Sequence, residues 1–222
     1  MSKIVSDAHL WLSVVGAADP PAIPITSIDA TGAQLVLTVG ATTLAADDMA
    51  VLSGTNDPYL DGQAFRVASA TATTVTLADA DPTKLGTPKP TAGSLTPFSK
   101  AGAVGLLTAC MATVTVAGQA PASIQLDDMC GSETKLGDAK PPTITFQGFS
   151  DKDSEGYKNL WRASVTDPKP VVWALIDYTD EGGYIFGPLQ VGEISITAAT
   201  NQGLQFNGTG TFTEIPTYSW TH

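Results

Sequence analysis

Positive charge is scarce in this chain: 11 Lys and Arg stand against 22 Asp and Glu, a formal net charge of −11 over 222 residues. Nucleic-acid affinity depends on basic side chains displacing counterions from phosphates, so wrapping or reading DNA is not expected. Charge of either sign is thin, at 15% of residues, while 43% are hydrophobic. Such a chain is neither disordered nor solvated by a dense charge coat, and much of its surface must be neutral and polar. Long apolar runs are missing too. None approaches the ~20 residues of a membrane span, and Ser6, Asp7 and His9 interrupt the apolar patch behind Lys3 before it can act as a secretory signal. Synthesis and folding in the cytoplasm are expected, and with them two free thiols at Cys110 and Cys130, which form no CxxC.

Catalytic chemistry is equally short of parts. His9 falls in an N-terminal strand and His222 is the last residue, so no base is placed to activate a serine or cysteine. There is no Gly-rich phosphate loop, no HExxH and no metal-spaced Cys/His set. The pairs Asp47–Asp48, Asp127–Asp128 and Asp180–Glu181 sit beside turn-forming residues and read as solvated loop ends, unlike the facing carboxylates of a glycosidase cleft. "DKDSEGYKNLWR" (151–162) copies the start of a calcium loop with Asp151, Asp153, Glu155 and Gly156, but Arg162 stands where a bidentate carboxylate is required. "NGT" (207–209) fits a glycosylation acceptor and, without a secretory signal, reads as a turn. No catalytic residue, cofactor or metal site is expected, and the chain is not expected to be an enzyme.

What the chain does have is alternation. Apolar and small polar residues trade places in "ITSID" (25–29), "AQLVLTVG" (33–40), "AFRVASA" (64–70) and "TTVTLAD" (73–79), and again in "VGLLTACMATVTVAG" (104–118), "PTITFQG" (142–148), "PVVWALIDYT" (170–179), "LQVGEISITAAT" (189–200) and "LQFNGTGTFTEI" (204–215). Each is bounded by turn formers, the signature of strands joined by tight turns. A 3.6-residue period appears only over 151–163. There Ser150 or Asp151 can cap the first amides, and Asp153 and Glu155 face the positive end of the dipole, while Lys158 and Arg162 lie toward the other end. Tyr157, Leu160 and Trp161 then share one face, which predicts a short helix lying on a sheet through these three anchors. The fold class is all-β with one short flanking α-helix.

Two Pro-rich stretches, "GAADPPAIP" (16–24) and "GTPKPTAGSLTPF" (86–98), interrupt any ladder and frame about five short strands, enough for a small barrel. Residues 20–98 therefore read as an inserted outer β module, and residues 1–19 and 99–222 as the body that hosts it. Past Lys169 no Lys or Arg occurs, while Asp177, Asp180, Glu181, Glu193 and Glu214 remain. Such a segment is either an acidic solvent face or a surface that must not adhere to a polyanion.

The order of elements is that of a known group. An N-terminal strand, a long strand pair, "TITFQG" running into a helix with "YKNLW", then "VVWALIDY", the Gly-rich "DEGGYIFGPLQVGEISI" and a closing "LQFNGTGTFTEIP" together resemble the tail tube proteins of tailed bacteriophages. The resemblance covers residues 1–19 and 99–222. Within the insertion, "SGTNDPYLDGQAFRVASATATTVTLADADPT" (53–83) resembles small β modules of phage structural proteins, with "LDG…F.V" and "TTVTL" marking hairpin strands.

The resemblance implies a β-sandwich or open barrel of tail-tube type, with the inserted small β-barrel-like module outside. It implies hexameric rings whose sheets continue into one inner barrel, stacked around a tape-measure protein and closed off by tail terminator and baseplate or tip proteins. DNA would pass through the lumen without specific binding, in a virion tail assembled in the host cytoplasm, with no membrane involved. On this reading Asp177, Asp180, Glu181, Glu193 and Glu214 are lumen-facing candidates. "DDMCGSETKLGDAKPP" (127–142) is the expected ring-stacking loop, with Asp127, Asp128, Met129 and Leu136 as its contacts. Rival readings are another virion β protein, such as a capsid decoration or tail terminator protein, or a carbohydrate- or peptide-binding β-sandwich using Trp11, Trp173 and Trp220 as aromatic platforms.

Overall fold

The computed structural model describes residues 8–101, 106–119, 123–128, 131–136, 140–149, 153–178, 183–198 and 204–219. Strand dominates, as the alternation requires, and among the described residues there is one α-helix.

Six strands close a small barrel: β2 (Ile23–Asp29), β3 (Leu35–Val39), β4 (Met49–Ser53), β5 (Ala64–Ala70), β6 (Thr74–Leu77) and β7 (Gly93–Phe98), in the cyclic order β2-β3-β6-β5-β4-β7. Leu35, Leu37, Leu52, Val67, Val75, Leu77 and Leu95 fill its interior, one from every second position as the pleat dictates. The "LDG" of the sequence is a turn rather than a strand. Asp61 there accepts from the Thr55 N–H at 2.7 Å and the Asn56 N–H at 3.1 Å, and Gly62 takes φ +76°, a left-handed value that favours glycine.

The remaining strands build the second body. These are β1 (Ala8–Ser13), β8 (Leu106–Gln119), β11 (Lys140–Phe149), β12 (Val171–Tyr178), β13 (Gly183–Ala198), β14 (Leu204–Phe212) and β15 (Thr217–Ser219). The order β12-β1-β8-β11-β14-β13 returns on itself, because β12 also pairs with residues 183–190 of β13. Leu10, Leu12, Val114, Ile144, Phe146, Ile176, Leu189 and Phe206 form the core it encloses. Residues 123–136, assigned from 127 onward to a loop, instead form a separate hairpin of β9 (Ser123–Asp128) and β10 (Gly131–Leu136), and β11 begins at Lys140. Pro141 and Pro142 are accommodated where the β8–β11 register shifts between Lys140 and Thr143.

The helix α1 (Glu155–Val165) starts later than expected, since Ser154 is the N-cap, its Oγ accepting from the Tyr157 N–H at 3.3 Å. Tyr157 and Leu160 are buried as anticipated, the Tyr157 ring 5.2 Å from that of Phe206. Trp161 is not an anchor, being 37% exposed. Two features rotate the helix so that Trp161 falls at the rim. Asn159 is buried and ties the helix to the end of β1, donating to the Ser13 carbonyl at 2.9 Å and accepting from the Val15 N–H at 2.8 Å. Gly156 lies directly on β8, where an added Cβ would overlap the Thr108 carbonyl. In an exposed helix, Gly→Ala stabilises by about 1 kcal/mol. Here Gly156→Ala is expected to destabilise by about 1–3 kcal/mol, as overpacking does, and urea unfolding of the variant checks the sign.

Candidate functional site

Beyond the closed part, four strands run on as a flap. β1 pairs with β8 only through residues 106–110, whereas β11 takes the other side of β8 from 111 to 119. At the opposite margin, β12 leaves β13 after Gln190, while β14 follows the other side of β13 to Ala198. Among the described residues, β8 from 111 to 119 and β13 from 191 to 198 therefore each present one open edge. The flap has the order β8-β11-β14-β13, with an edge at either side that no described residue pairs.

Its two faces differ by the pleat. One is apolar, with Val114, Ile144, Phe146 and Phe206 buried in the core. Gly208 and Gly210 lie on this side of β14, where side chains would collide with Phe146 and crowd Ile144 and Leu189. The "NGTG" run is thus mid-strand, its glycines spent on packing rather than on a turn. The other face carries Thr113 and Thr115 from β8, Thr145 and Gln147 from β11, Asn207 and Thr209 from β14, and Ser195 from β13, around a shallow concavity of about 530 Å³. Gln147 donates to the Gln205 side chain at 3.2 Å across this face. Among the described side chains Glu193 is the one charged residue lining it. Those side chains offer hydroxyls and amides, and no cation.

The three predicted acids among the described residues, Asp177, Glu193 and Glu214, do not gather in one place. Glu193 lies on the flap, and Glu214 is exposed in the bend between β14 and β15. Asp180 and Glu181 lie outside the described residues, as do Met129, Cys130 and Trp220. Asp127, Asp128 and Leu136 are on the β9–β10 hairpin. Asp177 belongs to a different part of the molecule. At 5% exposure it is buried between barrel and sheet, accepting from Arg66 of β5 at 2.8 Å and from Lys100, just past β7, at 2.7 Å. Its side chain leaves β12 on the side facing the barrel, so it is not a free acid on an open surface.

Around this ion cluster the two bodies share a small core of Met49, Ala64 and Phe98 with Leu175, Tyr184 and Phe186. Trp173 stacks on Phe186 at 5.3 Å, Lys100 lies 5.4 Å from the Trp11 ring centroid, and Arg66 lies 5.0 Å from that of Tyr184. Trp11 and Trp173 are accordingly spent on the junction and are not exposed platforms. Burial pushes the Tyr184 hydroxyl far above the ordinary phenol range, and the same cause raises Asp79. Arg66 and Lys100 were missed from sequence, although a lone Arg inside the apolar strand "AFRVASA" was a visible signal of a buried partner. Among the described residues no group of three or more His, Cys, Asp or Glu could hold a metal ion, and no helix is long and apolar enough to cross a membrane.

Removing one member of a buried ion cluster leaves its partners uncompensated, at a cost of about 3–5 kcal/mol. Because Arg66 and Lys100 keep some solvent contact, Asp177→Ala is expected at the lower end, about 3 kcal/mol. Chemical denaturation reads this directly, and a loss below about 1 kcal/mol, the value of an exposed pair, would count against the buried clamp.

No family model matches the chain, and no curated protein matches it. Among solved structures, a chain from the tail of an empty GTA particle, computed with helical refinement under C6 symmetry, is similar over 49% of this chain and 80% of its own. Identity is 16% and the TM-score 0.37, a likeness of fold at most.

Proposed function

We propose that this chain is a structural, non-catalytic subunit of a virion tail tube. The observation that carries the reading is the flap: among the described residues, a four-stranded sheet with one open edge on β8, one on β13, and a mainly polar face between them. Open edges are templates for pairing with another chain, and a ring disposes of them by joining edge to edge until no edge is left. Joining β8 of one copy to β13 of the next turns the flaps into a continuous barrel. The ring is hexameric on the tail-tube resemblance, and tape-measure, terminator and baseplate proteins are its proposed partners.

The lumen of that barrel is the Thr, Ser, Asn and Gln face. Glu193 would be repeated around it. Such a wall passes a polyanion without holding it, because adhesion requires cations that release counterions. The polar hairpin β9–β10 is the proposed stacking element between rings. The small barrel is the outer module, since it packs on β12 and the adjoining part of β13, and β12 stands across the closed sheet from β11.

Electron microscopy of the purified protein, with its solution mass over a range of concentrations, tests this. Rings or tubes with a central channel are expected, and single particles at every concentration would contradict the reading. Proline at Ser195 or at Ile196 removes successive N–H groups of β13, so one of the two substitutions takes away an outward donor. That variant is expected to stay folded and lose assembly, each interface forfeiting about 1 kcal/mol for the bond and more from the ring clash.

A further inference from the structure

A second concavity, of about 520 Å³, lies where the small barrel meets β15, and the assembly reading makes no use of it. Its size is within the roughly 300–1,000 Å³ of small-molecule sites. The lining is held in place from both bodies. The Tyr59 hydroxyl accepts from the Asp81 N–H at 2.8 Å, and its ring meets Phe65 edge-on at 5.9 Å. Buried Tyr184 donates to the Ala64 carbonyl at 3.1 Å, and Thr217 accepts from the Ala64 N–H at 3.1 Å.

Charge narrows the ligand class. Asp79 is the one carboxylate in the lining and Lys84 the one ammonium. A cation would meet Lys84 at the wall and Arg66 close to Asp79, while an anion would meet Asp79 itself. Burial already raises the Asp79 carboxyl, against the opposing pull of Arg66, so further negative charge is disfavoured. A molecule without net charge fits best, and one with an apolar face for a tyrosine ring and several hydroxyls would use the ring and the polar lining together.

We propose that this cleft binds a neutral pyranose residue, its apolar face against the exposed Tyr218 and its hydroxyls meeting Asp79, Gln63 and Ser219. The site is complete within one chain and does not depend on ring formation, so it can fail or succeed independently of the tube reading. On that reading the sugar site would be displayed on the outer module.

Saturation-transfer difference NMR on the full chain tests this, using methyl glycosides of glucose, galactose, mannose and N-acetylglucosamine at millimolar concentration, with glycerol as the polyol control. Transfer to at least one glycoside and none to glycerol is expected. Gln63 and Tyr218 are both exposed, so Gln63→Ala and Tyr218→Ala should leave thermal unfolding unchanged and weaken binding about tenfold, the loss of one good contact. No transfer to any glycoside, equal transfer to glycerol, or full binding in both variants would overturn the proposal.

Discussion

A β-strand cannot leave its backbone amides and carbonyls unpaired in any interior, and at a surface an unpaired row invites another strand. Most of this architecture follows from how the chain meets that demand. The six strands of the small barrel close on themselves. The larger sheet also closes, through β12 onto the first half of β13. Among the described residues β8 and β13 are 14 and 16 residues long while β1 and β12 are 6 and 8, so the closure they make is partial and the surplus length becomes the flap. Among those residues, the unequal strand lengths leave both edges open.

The flap is held by its apolar underside and by α1, which packs against β8, β13 and β1. Gly156 permits close approach to β8, and Asn159 fixes the helix to the end of β1. The junction between the bodies is held differently. A carboxylate from the sheet, two cations from the barrel segment and a layer of aromatic rings make the contact both apolar and charge-matched. A truncated cluster would be costly, so the barrel is presented in a set orientation rather than swung on a linker.

The fold class was legible because period-two alternation survives in nearly every strand, and the helix because its dipole and face signals coincide. Its boundary was not, since Ser150, Asp151 and Ser154 are all competent caps and only packing selects Ser154. Trp161 satisfied the same face rule as Leu160; the bonds of Asn159, 144 and 146 residues away in sequence, decide which of them is covered. The hairpin at 123–136 was read in part as loop because "GSETKL" has no apolar alternation. Asp177 showed its charge in the sequence but not its partners, which lie 111 and 77 residues away. The lumen was sought among acids, whereas the candidate face is built mainly from Thr, Gln, Asn and Ser, residues whose abundance drew no attention singly.

The central claim is that the open edges of β8 and β13 are mutual partners. Amide hydrogen exchange, read residue by residue in dispersed and in assembled protein, tests it most directly. The account predicts that outward amides in 111–119 and 191–198 exchange readily in the dispersed chain and become protected together on assembly. Assembly that protects other surfaces while both of these segments continue to exchange freely would contradict it.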